Sequence, residues 1–135
     1  MAKESGLAWT TCSVDDVLGA VKAIVNDVTS LSYSTVRGVQ DTTGLDKSAM
    51  ERLLLLSDFS ITLTGVFNDA ADKSHDAFKS VPYSAVARTV TLAVSGQTLP
   101  NECLFGSYNV NRANDGSLVW TADGQLADGT VPTWA

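Results

Sequence analysis

The sequence is short of the residues on which much protein chemistry depends. It has one histidine, His75, and two cysteines, Cys12 and Cys103. No multi-histidine or four-cysteine metal site can be built from these. Lysine and arginine together number 9, against 15 aspartates and glutamates, for a formal net charge of −6. Phosphate binding needs clustered cations, so the chain is poorly equipped to grip nucleic acid. Aromatic residues make up 7%, which is thin for a platform that stacks sugars or bases. The glycines form no phosphate-binding loop or dinucleotide fingerprint, and there is no Gly-x-Ser-x-Gly elbow. The longest apolar run, Leu53-Leu54-Leu55-Leu56, stops at Ser57 and Asp58. That is far below the roughly 20 residues a membrane-spanning helix needs. Lys3 and Glu4 have no apolar stretch behind them, so no secretory signal is expected. Synthesis in a cytoplasm and two buried thiols are the corresponding expectations.

What the chain does contain is β patterning. Its 135 residues, 44% of them hydrophobic, fit one domain over residues 1–135 with a substantial core. In residues 58–67 (DFSITLTGVF), Phe59, Ile61, Leu63 and Phe67 share one parity, and Ser60, Thr62 and Thr64 share the other. This is a half-buried strand with a hydroxyl-rich outer face. Residues 88–95 repeat the pattern with Val90, Leu92 and Val94. Residues 27–39, rich in Ser, Thr and Val, read as a strand by propensity. Residues 108–112 and 117–121 flank Asn114-Asp115-Gly116, a hairpin signature. Further Asp-Gly pairs at Asp123-Gly124 and Asp128-Gly129 predict a turn-rich tail.

Residues 13–25 have helix-like spacing, but their β-branched content and Gly19 favour two short strands around a turn. Residues 48–56 read as a loop or a turn of helix leading into a strand near Leu53. Residues 72–79 predict one short helix, with Asp72 as its cap. The total is about seven strands and one short helix. With no βαβ alternation, this predicts a mainly β, two-sheet antiparallel sandwich or barrel with one flanking helix. Residues 37–47 lack apolar alternation and predict a long loop, the kind that is usually functional or disordered.

The chemical candidates have bland readings. Ser74 and Asp76 flank His75, but neighbours on a helix point in different directions, so a solvated surface histidine is expected. Asp69, Asp72 and Asp76 do not match a calcium-loop spacing and read as a polar helix entry. Cys103 lies in a predicted strand as a small hydrophobe, and Cys12 is similar. Trp120 reads as core, whereas Trp134 either packs back or docks on a neighbouring chain. No catalytic residue, cofactor or metal is indicated, and an enzyme is not expected.

The order of features in residues 20–134 resembles the tail tube proteins, or major tail proteins, of long-tailed bacteriophages. The resemblance rests on Asn26-Asp27-Val28-Thr29-Ser30, Thr42-Thr43-Gly44, Met50-Glu51-Arg52-Leu53, the strand at 58–67 and Asn68-Asp69. It continues through the short helix with Asp76 and Phe78 to Tyr108-Asn109, the hairpin and Gly116-Ser117-Leu118-Val119-Trp120-Thr121-Ala122. It implies homohexameric rings stacked into a tube through which DNA leaves the capsid. Strands of all subunits would line the lumen, and a long loop, here residues 36–50, would reach neighbouring subunits. The implied partners are further copies of the chain and other tail proteins. DNA would pass without specific binding, and no membrane is involved. The location would be the virion tail.

The expected interface residues are Arg37, Asp41, Thr42, Thr43, Asp46, Lys47, Met50 and Trp134. Some of Asp41, Asp46, Glu51 and Asp58 are expected at the lumen or the ring interfaces, where acidity would keep phosphate from sticking. With the sequence ending at Ala135, no immunoglobulin-like decoration is expected. The rival readings are a single-ring tail terminator or head–tail joining protein, and a monomeric β-sandwich binding module.

Overall fold

Strand-forming alternation runs through most of the chain, and the computed structural model, which describes residues 3–135, turns it into seven strands. These are β1 (Trp9–Asp15), β2 (Val21–Ala23), β3 (Val28–Asp41), β4 (Arg52–Val66), β5 (Arg88–Val94), β6 (Gln97–Arg112) and β7 (Leu118–Leu126). One short helix, α1 (Ser74–Phe78), lies between β4 and β5. The strand pair predicted in residues 13–25 forms around a turn in which Asp16 Oδ1 accepts from the Leu18 and Ala20 amides, both at 2.9 Å. Gly19 supplies the positive φ, +84°, that this turn requires.

The expected two sheets are two layers of one continuous sheet, ordered β2-β1-β5-β6-β7-β4-β3. The strand shared by both layers is β6. Its first half, from Gln97 to Cys103, pairs with β5, and its second half, from Cys103 to Arg112, pairs with β7. The β6–β7 register shifts between Phe105 and Ser107, leaving Gly106 as the extra residue. Such a bulge lets one strand bend from one layer into the other. Between the layers lies a single apolar cluster. Cys12, Val14, Val90 and Leu92 enter it from one layer, and Phe59, Ile61, Leu63, Trp120 and Ala122 from the other. Ala77 and Phe78 of α1 close it, with the Phe78 ring 5.2 Å from both Phe105 and Trp120.

Two glycines make this packing possible. At Gly65, a Cβ would fall 2.2 Å from the Asp27 carbonyl and 2.7 Å from the Trp120 ring. At Gly124, it would fall 2.9 Å from the Phe105 ring. The pair Asp123-Gly124 therefore sits inside β7 and is not the turn that its sequence predicts; its glycine makes room for an aromatic ring. Asp128-Gly129 does turn, with Gly129 at φ +74°.

Helix α1 is shorter than predicted, and its N-cap position is Lys73, not Asp72. Asp72, at φ +64°, instead joins an ion-pair network around Lys22, whose side chain is 10% exposed. The Lys22 ammonium lies 2.5 Å from Asp72, 3.4 Å from Asp76 and 3.6 Å from Asp16, and Lys79 reaches Asp76 at 3.0 Å. This joins the β1–β2 turn to the helix. Buried Arg88 makes a second tie, donating to the Asp15 and Ala77 carbonyls and to Ser80 Oγ.

The layer made by β3, β4, β7 and the second half of β6, here called the first layer, is bare on the face turned away from the core. Paired strand residues share a face, so the registers define cross-sheet rows. One row reads Ser30, Thr64, Thr121, Asn109, and the next reads Ser32, Thr62, Asp123, Ser107. A third, Ser34, Ser60, Gln125, runs out to Leu104, and Val36 beside Asp58 follows. Asp123 ties three strands together by accepting from Thr62 at 2.8 Å and from Ser107 at 3.3 Å.

Two outcomes test this account. Gly65→Ala overpacks the layer against the Asp27 backbone and should cost about 1–3 kcal/mol, read as a lower denaturation midpoint. The second concerns pH. Hydrogen bonds from the Ala20 amide hold Asp16 below its ordinary value of 3.8, and contact with Lys79 does the same for Asp76. Contact with Asp72 raises Lys22 above 10.5. The carboxylate contribution is thus present above pH 3.8 and lost as pH falls through the lowered values, while the Lys22 contribution is lost only above 10.5. Lys22→Met leaves three carboxylates facing one another. It should destabilise at neutral pH, and the deficit should shrink at about pH 3, measured by urea unfolding at both.

Candidate assembly interface

The β3–β4 hairpin is longer than the layer that holds it. β4 pairs with β7 only from Ser60 to Val66, whereas β3 and β4 pair with each other as far as Asp41 and Arg52. Beyond Thr35 and Phe59 the two strands therefore form a free arm. This shortens the predicted loop at residues 36–50: residues 36–41 are strand, and residues 42–51 form the tip. A register shift between Arg37 and Val39 sets Leu55 and Leu56 against Gly38. Arg37 Nε donates to the Leu55 carbonyl at 2.9 Å, satisfying a group that the bulge displaces from the ladder.

The tip is locked by Thr43. Its hydroxyl donates to Asp41 Oδ1 at 2.6 Å and accepts from the Glu51 amide at 2.8 Å. The Thr43 amide also donates to Asp41 at 2.9 Å, and the Thr42 amide donates to the Glu51 carbonyl at 3.0 Å. Contact with the Thr43 hydroxyl, then with its amide, holds the Asp41 carboxyl below its usual range. Lys47 lies 3.5 Å from Glu51 and 4.0 Å from Asp46, exposed pairs that contribute little to stability.

Nothing in the described residues covers the arm's apolar side chains. Leu53, Leu54, Leu55 and Leu56 are 45–90% exposed, Val36, Val39 and Met50 about half exposed, and Leu45 fully exposed. An apolar surface of this length, carried on both faces of a protruding hairpin, marks an interaction site. Full burial of one leucine contributes about 1.5–3 kcal/mol, so covering the leucine run contributes several kcal/mol per arm.

The first layer also has two open edges. Among the described residues β3 pairs with a strand only on its β4 side, and the second half of β6 pairs with a strand only on its β7 side, although the 3-10 turn Val81–Tyr83 packs against β6. Soluble proteins usually blunt such edges with Lys, Pro or short strands. β3 has 14 residues, no lysine and no proline.

Of the expected interface residues, Arg37, Asp41, Thr42, Thr43, Asp46, Lys47 and Met50 all lie on this arm or its tip. Trp134 does not. Its ring is 6.2 Å from Tyr33, which stacks on Phe59, and Ala135 exchanges two 2.9 Å backbone bonds with Thr98. The tail thus packs back across its own layers, with Trp134 still 41% exposed. The leucine run is the part of the site that sequence reading missed. Its signal was there in the longest apolar run of the chain, which no partner element accounts for.

The other candidates are structural. His75 is not a solvated surface residue: Nδ1 lies 3.1 Å from the Tyr108 hydroxyl, and its ring is 4.7 Å from Phe67. Asp72 and Asp76 are held by Lys22 and Lys79. Cys12 and Cys103 are buried free thiols, and burial pushes both up to about 12, which suppresses the reactive thiolate.

The fold is shared with two solved chains. One belongs to the virion of a native gene transfer agent (GTA) particle, with a TM-score of 0.76 and 15% identity over 97% of this chain and 99% of that one. The other belongs to the tail of an empty GTA particle of C6 symmetry, with a TM-score of 0.77 and 16% identity over 98% of each. No protein-family model and no curated protein matches the sequence.

The tip lock makes one direct prediction. Thr43→Val removes the strongest influence on Asp41, whose pKa should rise towards its ordinary value in an NMR titration, with faster hydrogen exchange at the Glu51 amide.

Proposed function

We propose that the chain is the tube subunit of a phage-like tail. Copies join through the open edges of the first layer into rings, and the rings stack into the conduit through which DNA is ejected. The observation that carries this is the combination of two sheet edges without a strand partner and a protruding, exposed apolar arm, which further copies of the chain would cover. The likeness in fold to a chain of a C6-symmetric tail supports a ring of six. The arm then lies against a neighbouring copy, with Arg37, Asp41, Thr42, Thr43, Asp46, Lys47 and Met50 at or beside that contact, and Trp134 at its margin. The partners are other copies and other tail proteins, and the product is made in the host cytoplasm and resides in the virion tail. The role is structural, and no catalytic step is assigned.

Electron microscopy across a concentration series tests the reading. Tubes of uniform width with a regular axial repeat are expected. Isolated rings would instead indicate a terminator or joining protein, and monomers at every concentration would count against assembly. The double change Leu54→Lys with Leu56→Lys should leave the melting temperature within a few degrees, because both side chains are already exposed, yet abolish tube formation.

A further inference from the structure

The two ends of the first layer have complementary shapes on the side turned to the core. At the β6 end there is a knob. β5 runs antiparallel to β6 with Arg88 opposite Cys103, so the residues ahead of Arg88 run on beside those that follow Cys103. There the 3-10 turn Val81–Tyr83 packs against β6, and Val81 enters the core cluster, which puts the turn on the core side. The apolar side chains that follow are uncovered: Tyr83 is 77% exposed and Val86 about half exposed. At the β3 end there is a cleft. Val28 and Leu31 of β3 pair with Gly65 and Leu63, so they face the core side. With Trp9, Cys12 and Val25 they line an open cleft of about 420 Å³, and Trp9, Val28 and Leu31 are only partly buried in it.

Knob and cleft become neighbours when copies join. Strands β6, β7, β4 and β3 alternate in direction, so β3 of one copy meets β6 of a second copy in the same orientation as an antiparallel pair, the pairing used throughout the layer. The core sides of the two layers are then continuous, and the knob of one copy and the cleft of the next lie behind the same joint. A stable interface covers about 800 Å² per partner and has an apolar centre. The bare face of the joint cannot supply that centre, because there Ser30, Ser32 and Ser34 of β3 lie level with Asn109 and Ser107 of β6. The core side can. A tyrosine suits the cleft: its ring matches the apolar lining, and the hydroxyls of Thr29 and Ser30 at the rim can meet its polar end.

We infer that Tyr83, with Val86 beside it, docks in the cleft formed by Trp9, Val25, Val28 and Leu31 of a second copy of the chain, and that this contact is the apolar anchor behind the strand joint. The inference rests on the edge-joined ring proposed above. It adds the residues of the contact and its direction: each copy offers a knob on its β6 side and a cleft on its β3 side.

Assembly of full-length variants, followed by sedimentation and electron microscopy, tests it. Tyr83→Asp spoils the knob and Val25→Asp the cleft. Both side chains are exposed in the single chain, so each variant should keep its melting temperature within a few degrees. Each should need at least about tenfold more protein than the unaltered chain to assemble, the loss expected for one buried aromatic anchor. Tyr83→Phe, which keeps the ring, should assemble close to normally. Direction is read by cross-linking. Ala85→Cys and Thr29→Cys place thiols beside the knob and at the rim of the cleft, and leave the apolar lining intact. The native thiols are buried and pushed up to about 12, so a short bismaleimide reports the new ones. Tubes assembled from a mixture of the two variants should yield a dimer joining one chain of each kind, and tubes of either variant alone should yield none. If both Asp variants assemble at the concentration of the unaltered chain, or if mixed tubes give no such dimer, the contact is overturned and the tube reading stands. If the unaltered chain forms no ordered assembly, both fall.

Discussion

A backbone amide or carbonyl at the edge of a sheet must find a partner, in the same chain, in another chain or in water. The rest of this structure follows from how β6 handles that constraint. Its first half closes one layer against β5, and the bulge at Gly106 carries its second half into the other layer against β7. The bend brings two halves of one sheet face to face over a shared core. It also leaves the second half of β6 without a strand on its far side, just as β3 is left without one at the opposite end. One bend therefore creates both the hydrophobic core and the pair of open edges. Folding satisfies the core within a single chain, and the edges remain for other copies.

The apolar inventory divides along the same line. Trp120, Phe59, Phe78 and the aliphatic residues around them are fully buried, with the Trp120 indole donating to the Val66 carbonyl at 2.9 Å. The leucine run and Leu45 lie beyond the reach of that core. Since they contribute little to the stability of the lone chain, they are free to serve association. The locked tip keeps this reserve in order. Thr43, Asp41 and Glu51 fix the end of a hairpin that has no packing support, which limits the entropy to be lost when it docks.

The parts of the fold that were legible in the sequence are those where one face is buried and the other wet. Phe59, Ile61 and Leu63 against Ser60, Thr62 and Thr64 gave the inner half of β4, and Val90, Leu92 and Val94 gave β5. The outer end of β3, residues 37–41, falls in the stretch that reads as a loop, because both of its faces are exposed in one chain. Residues 37–47 therefore carry no inside–outside alternation, although their backbone is extended as far as Asp41. Asp123-Gly124 misled for a related reason. Its glycine answers to the Phe105 ring across the core, a contact that spacing along the chain does not encode. The position of His75 likewise depends on Phe67 and Tyr108, which come from distant segments. The residues expected at an interface between 37 and 50 lie on one arm, and the longest exposed apolar run, Leu53 to Leu56, lies just past them.

The scarcity of lysine and arginine connects the two kinds of surface. Of nine such residues, Lys22 and Arg88 are buried in tertiary ties, and Arg37, Lys47 and Arg52 lie on the arm. The remaining four, Lys3, Lys73, Lys79 and Arg112, lie outside the bare-face rows. Two consequences follow from the same absence. Lysine is absent from β3, whose charged residues Arg37 and Asp41 lie only at its outer end, so the inner part of that edge carries none of the charge that ordinarily deters strand pairing. Without lysine or arginine, the adjoining face has nothing to neutralise phosphate, and so it stays non-adhesive to a polyanion. A cation added to either place would act on both properties, because the edge and the face belong to the same four strands. In the assembly proposed above, the low basic content of these strands would leave their edge easier to pair.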